Sequence, residues 1–188
     1  MTEQVILVDR ADRPVGVADK LEAHRLGLLH RAFSVLVLND DDELLLQRRA
    51  DAKYHSGGLW SNTCCSHPRP GEAVEAAAHR RLHEEMGFDC PLEPAGSLLY
   101  QAQVGGGLVE HEYDHLFLGR WTGTPSPAPG EVDAWRWVPV AQVRAEIEEL
   151  PGRFTYWFKA ALGRLDARDL LPRGDGTPGA VASGFDRG

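Results

Sequence analysis

Short apolar runs separated by polar turn residues recur through the first third of the chain. Runs of this length that are rich in Val, Leu and Ile are typical of β-strands. Three aspartates at 40–42 lie between two such runs and indicate a hairpin turn. The segment 19–30 favours either a helical turn or a loop, and 50–71 is mainly loop. The predicted strands of this part are 4–9, 31–39, 43–49 and a short one within 59–65.

From Glu72 onwards helical periodicity joins the strand pattern. The alanine-rich stretch 71–87 ends in glycine, which predicts a helix with a C-terminal glycine cap. Two further amphipathic helices are predicted at 140–150 and 154–170, the second with a glycine inside it. The predicted strands of this part are 97–104, 108–121 and 132–140.

This order of elements predicts the fold class α/β (α+β), a sandwich with a mixed β-sheet flanked by helices. We expect a single domain at 1–171, because no repeat or second unit is visible. The tail at 172–188 is rich in Gly and Pro, and we expect it to be disordered.

The composition is that of an ordinary globular protein. Of the 188 residues, 43% are hydrophobic and 26% are charged. No apolar run reaches the roughly eighteen residues that predict a membrane span. The first residues have no basic region ahead of an apolar stretch, so we expect no secretory signal. Three cysteines are an odd number, and two of them are adjacent, which disfavours a disulfide framework, so we predict a cytoplasmic protein. The net charge of −8 disfavours nucleic acid as a partner but permits a small anionic substrate held by local cations or a metal.

Acidic and histidine side chains form a candidate metal site. Glu110 and Glu112 are separated by one residue in a predicted strand, so their side chains point to the same face. If buried, two such carboxylates repel each other unless a cation lies between them. His24, His30 and His67 could complete a set of three nitrogens and two oxygens for a divalent ion, although a histidine is more often a polar surface residue.

The adjacent Cys64 and Cys65 lie in an extended segment, so their side chains point to opposite sides. One can therefore face a pocket while the other packs in the core, and their spacing is not that of a zinc site. A different pair, His79 and His83, has the spacing of zinc-peptidase histidines. Arg80 stands where that motif has a glutamate, so we interpret this pair as helix-surface residues.

The alanine-rich helix carries Arg81 and Glu85 on one face. The pair favours a solvated, salt-bridged face, but the rigid loop before this carboxylate-rich helix also suits a divalent ion held against a diphosphate. Residues 71–88 resemble the Nudix box, whose opening position falls upstream at residue 66, and two positions depart from its pattern. Ser66 replaces its first glycine, and Arg81 replaces a glutamate of its metal-binding, water-activating set. The second departure disfavours pyrophosphate hydrolysis.

The same departures occur in the type 1 isopentenyl diphosphate isomerases, and further segments resemble that family. They are "AHRLGLLHRAFS", "LLLQRRADAK", "WSNTCCSHP" and "EHEYDHLF", in the family's order between about Val5 and Leu162. The resemblance implies a Nudix-like sandwich that converts isopentenyl diphosphate to dimethylallyl diphosphate for isoprenoid precursor biosynthesis, without a redox step or a nucleotide. The alternatives are a Nudix pyrophosphohydrolase and a non-catalytic metal- or nucleotide-binding module.

The resemblance also implies roles for individual residues. Cys65 and Glu112 are the acid–base pair, in an order that the sequence leaves open, whereas Cys64 and Cys90 are interpreted as packing residues. Glu85 is implied to hold a Mg²⁺ that bridges to the diphosphate. The implied ligands of a first ion, which is Mn²⁺, Zn²⁺ or Mg²⁺, are His24, His30, His67, Glu110 and Glu112. The implied substrate-binding residues are the cations Lys20, Arg49, Lys53 and Arg81 and the aromatic residues Tyr100 and Trp157.

Overall fold

The apolar runs of the sequence form the strands of one mixed sheet. The structure, a computed structural model, describes residues 3–173, and their nine strands lie in one sheet with four α-helices. The strands are β1 (Gln4–Val8), β2 (Pro14–Asp19), β3 (His30–Leu38), β4 (Glu43–Arg49), β5 (Trp60–Ser61), β6 (Cys64–Ser66), β7 (Leu92–Gly105), β8 (Leu108–Arg120) and β9 (Val132–Pro139). The helices are α1 (Lys20–Leu26), α2 (Val74–Met86), α3 (Val140–Glu149) and α4 (Tyr156–Asp166), with a 3₁₀ turn at Pro151–Arg153.

Strand β3 lies at the centre of the sheet and determines which distant segments meet. It pairs antiparallel with β6, so that Ser34 lies opposite Cys65. It pairs parallel with β8, and His30 there lies opposite Glu112. Strand β8 in turn pairs with β7 in a long hairpin. Residues that are far apart in sequence are thus brought side by side at one end of the sheet.

Helices cover both faces of the sheet. On one face the alternate residues Phe33, Val35 and Val37 of β3 pack with the buried residues of α2. On the other face Leu36 and Leu38 pack with α3 and α4. This arrangement confirms the predicted class, a mixed sheet flanked by helices.

Most predicted elements occur with small changes of boundary, and some differ. Strand β2 was not predicted, because its residues are mostly exposed at the edge of the sheet and include Gly16, so the sequence does not alternate. Strand β7 begins five residues earlier than predicted, at Leu92. The last helix is shorter than predicted, since it ends at Asp166. The segment left open at 19–30 contains α1.

The division into a domain at 1–171 and a tail at 172–188 stays a prediction, because 174–188 lie outside the described residues. Within the described part of the chain, no helix combines the length and the apolar sequence that crossing a bilayer would require.

Candidate active site

The five residues predicted as ligands of the first ion meet in one cluster. Their ligand atoms all lie within 4.8 Å of one another. Helix α1 supplies one histidine, the start of β3 supplies the second and the segment after β6 supplies the third, while alternate positions of β8 supply both carboxylates. The members of this cluster are His24, His30, His67, Glu110 and Glu112.

The histidines of the cluster are oriented by backbone carbonyls. Nδ1 of His24 lies 2.6 Å from the carbonyl oxygen of Lys20, and Nδ1 of His30 lies 2.8 Å from that of Leu28. A ring nitrogen this close to a carbonyl carries the proton and donates it, so the Nε2 atoms of both rings present lone pairs to the cluster. This tautomer is the one that ligates metals through Nε2.

Buried polar atoms of the cluster lack partners that an ion would supply. Nε2 of His24 and Oε2 of Glu110 lie 3.3 Å apart, and both are buried without a hydrogen-bond partner among residues 3–173. Nε2 of His30 lies 3.2 Å from Nε2 of His67. Unpaired buried donors and acceptors are costly, and a divalent cation ligated by imidazole and carboxylate would satisfy these atoms. The residues therefore fit a metal ion.

The protonation states of two members of the cluster, His67 and Glu112, also suit a cation. Burial lowers the pKa of His67 to about 4, against hydrogen bonding with Glu112 that raises it, so the ring is neutral near pH 7. Burial alone would raise the pKa of Glu112, but its interactions with the imidazoles of His30 and His67 outweigh it and hold that pKa well below its usual range. Neutral imidazole and ionised carboxylate are the forms that bind metals.

A cavity beside the cluster is lined by both residues of the predicted acid–base pair. Cys65 and Glu112 line it together with Tyr100 and Trp157. The hydroxyl of Tyr100 donates a hydrogen bond of 2.6 Å to Oε2 of Glu112. Burial raises the pKa of Cys65 to about 12, so its sulfur carries a proton. Its neighbour Cys64 is fully buried and packs beneath α2, as the opposite directions of the two side chains predicted.

The predicted diphosphate-binding cations line the same cavity. Several of them are paired with carboxylates: Arg81 donates to Glu85 at 2.6 Å, and Lys53 forms an ion pair with Glu131. The guanidinium carbon of Arg49 lies 5.1 Å from the ring centre of Trp157. The residues of this lining that were predicted to bind the diphosphate or its Mg²⁺ are Lys20, Arg49, Lys53, Arg81 and Glu85.

Two buried residues of the site were missed by sequence reasoning. His55 lies in the loop after β4, 7% exposed, with Nε2 3.0 Å from Oε1 of Glu110. Asp114 is 1% exposed and accepts a hydrogen bond of 2.9 Å from Ser34. Asp114 continues the alternation of Glu110 and Glu112 along β8, so the pattern could have revealed it. His55 stands in a segment without periodicity and gave no such signal.

The pair His79 and His83 does not belong to the metal cluster found among the described residues. Nδ1 of His79 lies 2.6 Å from Oδ1 of Asp89 at the surface, and His83 is exposed. Cys90 is buried in the core beneath α2. These placements agree with the interpretation as surface histidines and a packing cysteine.

The fold and the box define a NUDIX domain protein. The NUDIX domain family matches residues 28–158. Among solved structures with this fold, a protein of Deinococcus radiodurans, DR0079, has a TM-score of 0.64 and 18% sequence identity, covering 78% of this chain and 90% of that one. A MutT NUDIX hydrolase of Burkholderia pseudomallei has a TM-score of 0.58 and 20% identity, covering 73% of this chain and 98% of that one.

The relatives with higher sequence identity share the name of one enzyme. A protein of Photorhabdus laumondii, named isopentenyl-diphosphate Delta-isomerase 2, is 50% identical over 170 residues, which are 90% of this chain and 96% of the relative. An isopentenyl-diphosphate Delta-isomerase of Burkholderia multivorans is 52% identical over 164 residues, covering 87% of this chain and 93% of the relative. The chain therefore belongs to the NUDIX family and, within it, to the isopentenyl-diphosphate Delta-isomerases. The family indicated by the sequence motifs is confirmed.

Proposed function

We propose that this protein converts isopentenyl diphosphate to dimethylallyl diphosphate. The names of its relatives support this reaction. The observation that carries the proposal is the single cavity that holds a protonated thiol, a carboxylate with a tyrosine partner, an indole ring and four cations. Such a cavity suits a small alkene at one end and a diphosphate at the other.

The reaction adds one proton to the substrate and removes another from it. A proton added to the terminal carbon of the alkene produces a tertiary carbocation, and loss of a proton from the carbon nearer the diphosphate forms the new double bond. Cys65 and Glu112 exchange these protons, one acting as acid and the other as base. Because the reaction is reversible, whichever group donates in one direction accepts in the other. Tyr100, bonded to Glu112 at 2.6 Å, orients the carboxylate.

The aromatic wall stabilises the positive charge without attacking it. The indole ring of Trp157 lines the cavity, and its Nε1 donates a hydrogen bond of 3.0 Å to Oγ of Ser61. That bond fixes the ring in the wall of the cavity, where its π electrons would stabilise a carbocation. A nucleophilic side chain in the same position would instead trap the intermediate.

Two divalent ions and four basic residues complete the proposal. The His₃Glu₂ cluster binds Mn²⁺, Zn²⁺ or Mg²⁺, which would neutralise the charges of its two carboxylates. Glu85 would hold a Mg²⁺, which would supply positive charge to offset that of the diphosphate. The diphosphate oxygens are bound by Lys20, Arg49, Lys53 and Arg81.

The hydrolase alternative is disfavoured by the pairing on α2. Arg81 donates to Glu84 at 2.7 Å and to Glu85 at 2.6 Å, in the position where the Nudix box has a carboxylate. A guanidinium cannot act as a base toward water, because it stays protonated in proteins. The side chain of Arg81 therefore binds the diphosphate and does not activate water for diphosphate cleavage.

Replacement of the thiol tests the proposal directly. Wild-type protein with Mg²⁺ and isopentenyl diphosphate should yield dimethylallyl diphosphate, measured by chromatography, without release of phosphate. Cys65→Ala should lose the activity by at least about 100-fold, since one proton-transfer group is gone. Cys64→Ala removes the neighbouring thiol from the core face and is the matched control, which should stay active. Phosphate release by wild-type protein would support the hydrolase, and undiminished isomerisation by Cys65→Ala would contradict the assigned role.

A further inference from the structure

His55 lies between the metal cluster and the aromatic wall of the cavity. Its buried ring has Nε2 3.0 Å from Oε1 of Glu110 in the metal cluster. The same ring meets Trp157 edge to face, with 5.9 Å between ring centres and an interplanar angle of 88°. On a further side Tyr54 contacts it edge to face at 4.4 Å. Aromatic neighbours on two sides and the Glu110 carboxylate on a third hold the ring in one orientation.

The backbone of the loop after β4 is built to hold this ring in place. The backbone NH of Gly58 donates to the carbonyl of Arg49 at 3.0 Å, which closes the loop at its base. At Gly57 an added Cβ would lie 2.6 Å from the carbonyl oxygen of Asp51, so only glycine fits this close approach. The loop is therefore a tight turn, and His55 at its inner side is held by backbone geometry as well as by packing.

The contact with His55 makes the surroundings of the two carboxylate oxygens of Glu110 different. Oε1 lies at His55, whereas Oε2 is buried in the cluster without a hydrogen-bond partner in the described part of the chain. Nδ1 of His55 lies 3.3 Å from Oγ of Ser56, which can donate to it and so favour the tautomer with the proton on Nε2. An Nε2–H group that donates to Oε1 prevents rotation of the carboxylate and keeps Oε2 directed at the ion.

We propose that His55 is a positioning residue for the metal site, and that from this 3.0 Å contact its Nε2–H donates a hydrogen bond to Oε1 of Glu110 when the ion is bound. The inference rests on the proposed ion in the His₃Glu₂ cluster and adds a contact outside the five ligands. Hydrogen bonds to ligating carboxylates and imidazoles commonly change metal affinity by about 10-fold to 100-fold when removed. A loss of this size is expected when His55 can no longer donate to Glu110.

Two substitutions separate the hydrogen bond from the packing of the ring. His55→Phe keeps a ring against Trp157 but has no group that can donate to Glu110. His55→Gln loses the ring, but its amide places an NH₂ group near the position of Nε2. Mn²⁺ binding to the metal-free protein, measured by equilibrium dialysis, should weaken by about 10-fold to 100-fold in His55→Phe and return close to the wild-type value in His55→Gln.

The control is His79→Phe, which makes the same chemical change at a surface histidine paired with Asp89 and should leave Mn²⁺ affinity unchanged. Circular dichroism establishes that each variant is folded. Wild-type affinity in folded His55→Phe would overturn the inference while leaving the metal site intact. Equal weakening in both His55 variants would assign the effect to the ring and would also overturn it. Absence of Mn²⁺ binding by the wild type would refute the proposed site itself.

Discussion

Tyr100 contacts Glu112, one member of the proposed acid–base pair, directly. Tyr100→Phe removes a hydroxyl that donates to Oε2 of Glu112 at 2.6 Å and leaves a buried oxygen without that donor. Hydrogen bonds to charged groups contribute about 1.5–3 kcal/mol, so we expect kcat to fall by about 10-fold to 100-fold with little change in KM. Steady-state kinetics with isopentenyl diphosphate measures both constants.

Tyr113 provides a matched control in the neighbouring strand β8, on the face opposite to that of Glu112. Its hydroxyl contacts Ser97 at 3.2 Å, away from the cavity, so Tyr113→Phe should keep wild-type kinetics. Equal kcat values for Tyr100→Phe and the wild type would mean that Glu112 is oriented by its histidine neighbours alone.

At the residue scale the sequence predicts side chains whose position follows from a regular element. Glu110 and Glu112 were placed on one face because strand residues alternate, and both are buried there. His55 could not be placed in this way, since its direction depends on the tight turn at Gly57. That turn brings Gly57 close to the carbonyl of Asp51, and a contact of this kind cannot be predicted from the periodicity of the sequence.

At the scale of elements, the sequence predicts strands and helices that have a strong apolar pattern. It does not predict elements that form mainly because they pair with a neighbouring strand. Strand β2 forms because it pairs antiparallel with β1, although most of its own residues are exposed. The parallel pairing of β3 with β8 is equally invisible locally, because the two strands are separated by many residues. This pairing is what places His30 beside Glu112, so the geometry of the site could be expected only through the family resemblance.

Helix α4 contains a glycine that nothing in the structure requires. Gly163 is exposed within the helix, and an added Cβ there would meet no atom within 4 Å. Glycine inside a helix costs about 1 kcal/mol relative to alanine, so Gly163→Ala should raise the free energy of unfolding by about that amount. In a chain of this size the midpoint of thermal unfolding should rise by about 2–4 °C, without a change in activity.

Gly57→Ala is the opposite case in the loop after β4. Its Cβ would lie 2.6 Å from a backbone oxygen, so the loop must shift, and with it Lys53 and His55. We expect this variant to bind substrate less tightly and to unfold at a lower temperature. A gain of stability at Gly57, or a loss at Gly163, would contradict the contacts described for the two positions.

At the scale of the whole molecule, the proposed ion joins segments from α1 to β8 and therefore links local binding to global stability. Its ligands come together only in the folded chain, so binding stabilises the native state. A divalent ion at about 100 times its dissociation constant adds about 2.7 kcal/mol, which should raise the unfolding midpoint by about 5–10 °C. Differential scanning calorimetry of metal-free protein, with and without Mn²⁺, measures this shift.

Glu110→Gln should abolish both the shift and the bound ion found by elemental analysis, because it removes a ligating charge from a buried cluster. Glu75→Gln makes the same change on the exposed first turn of α2 and should keep both. Equal stabilisation of the two variants would place the ion elsewhere on the protein. If only Glu75→Gln responds, the five residues act as one unit, and the stability of the fold depends on the same ion that the active site requires.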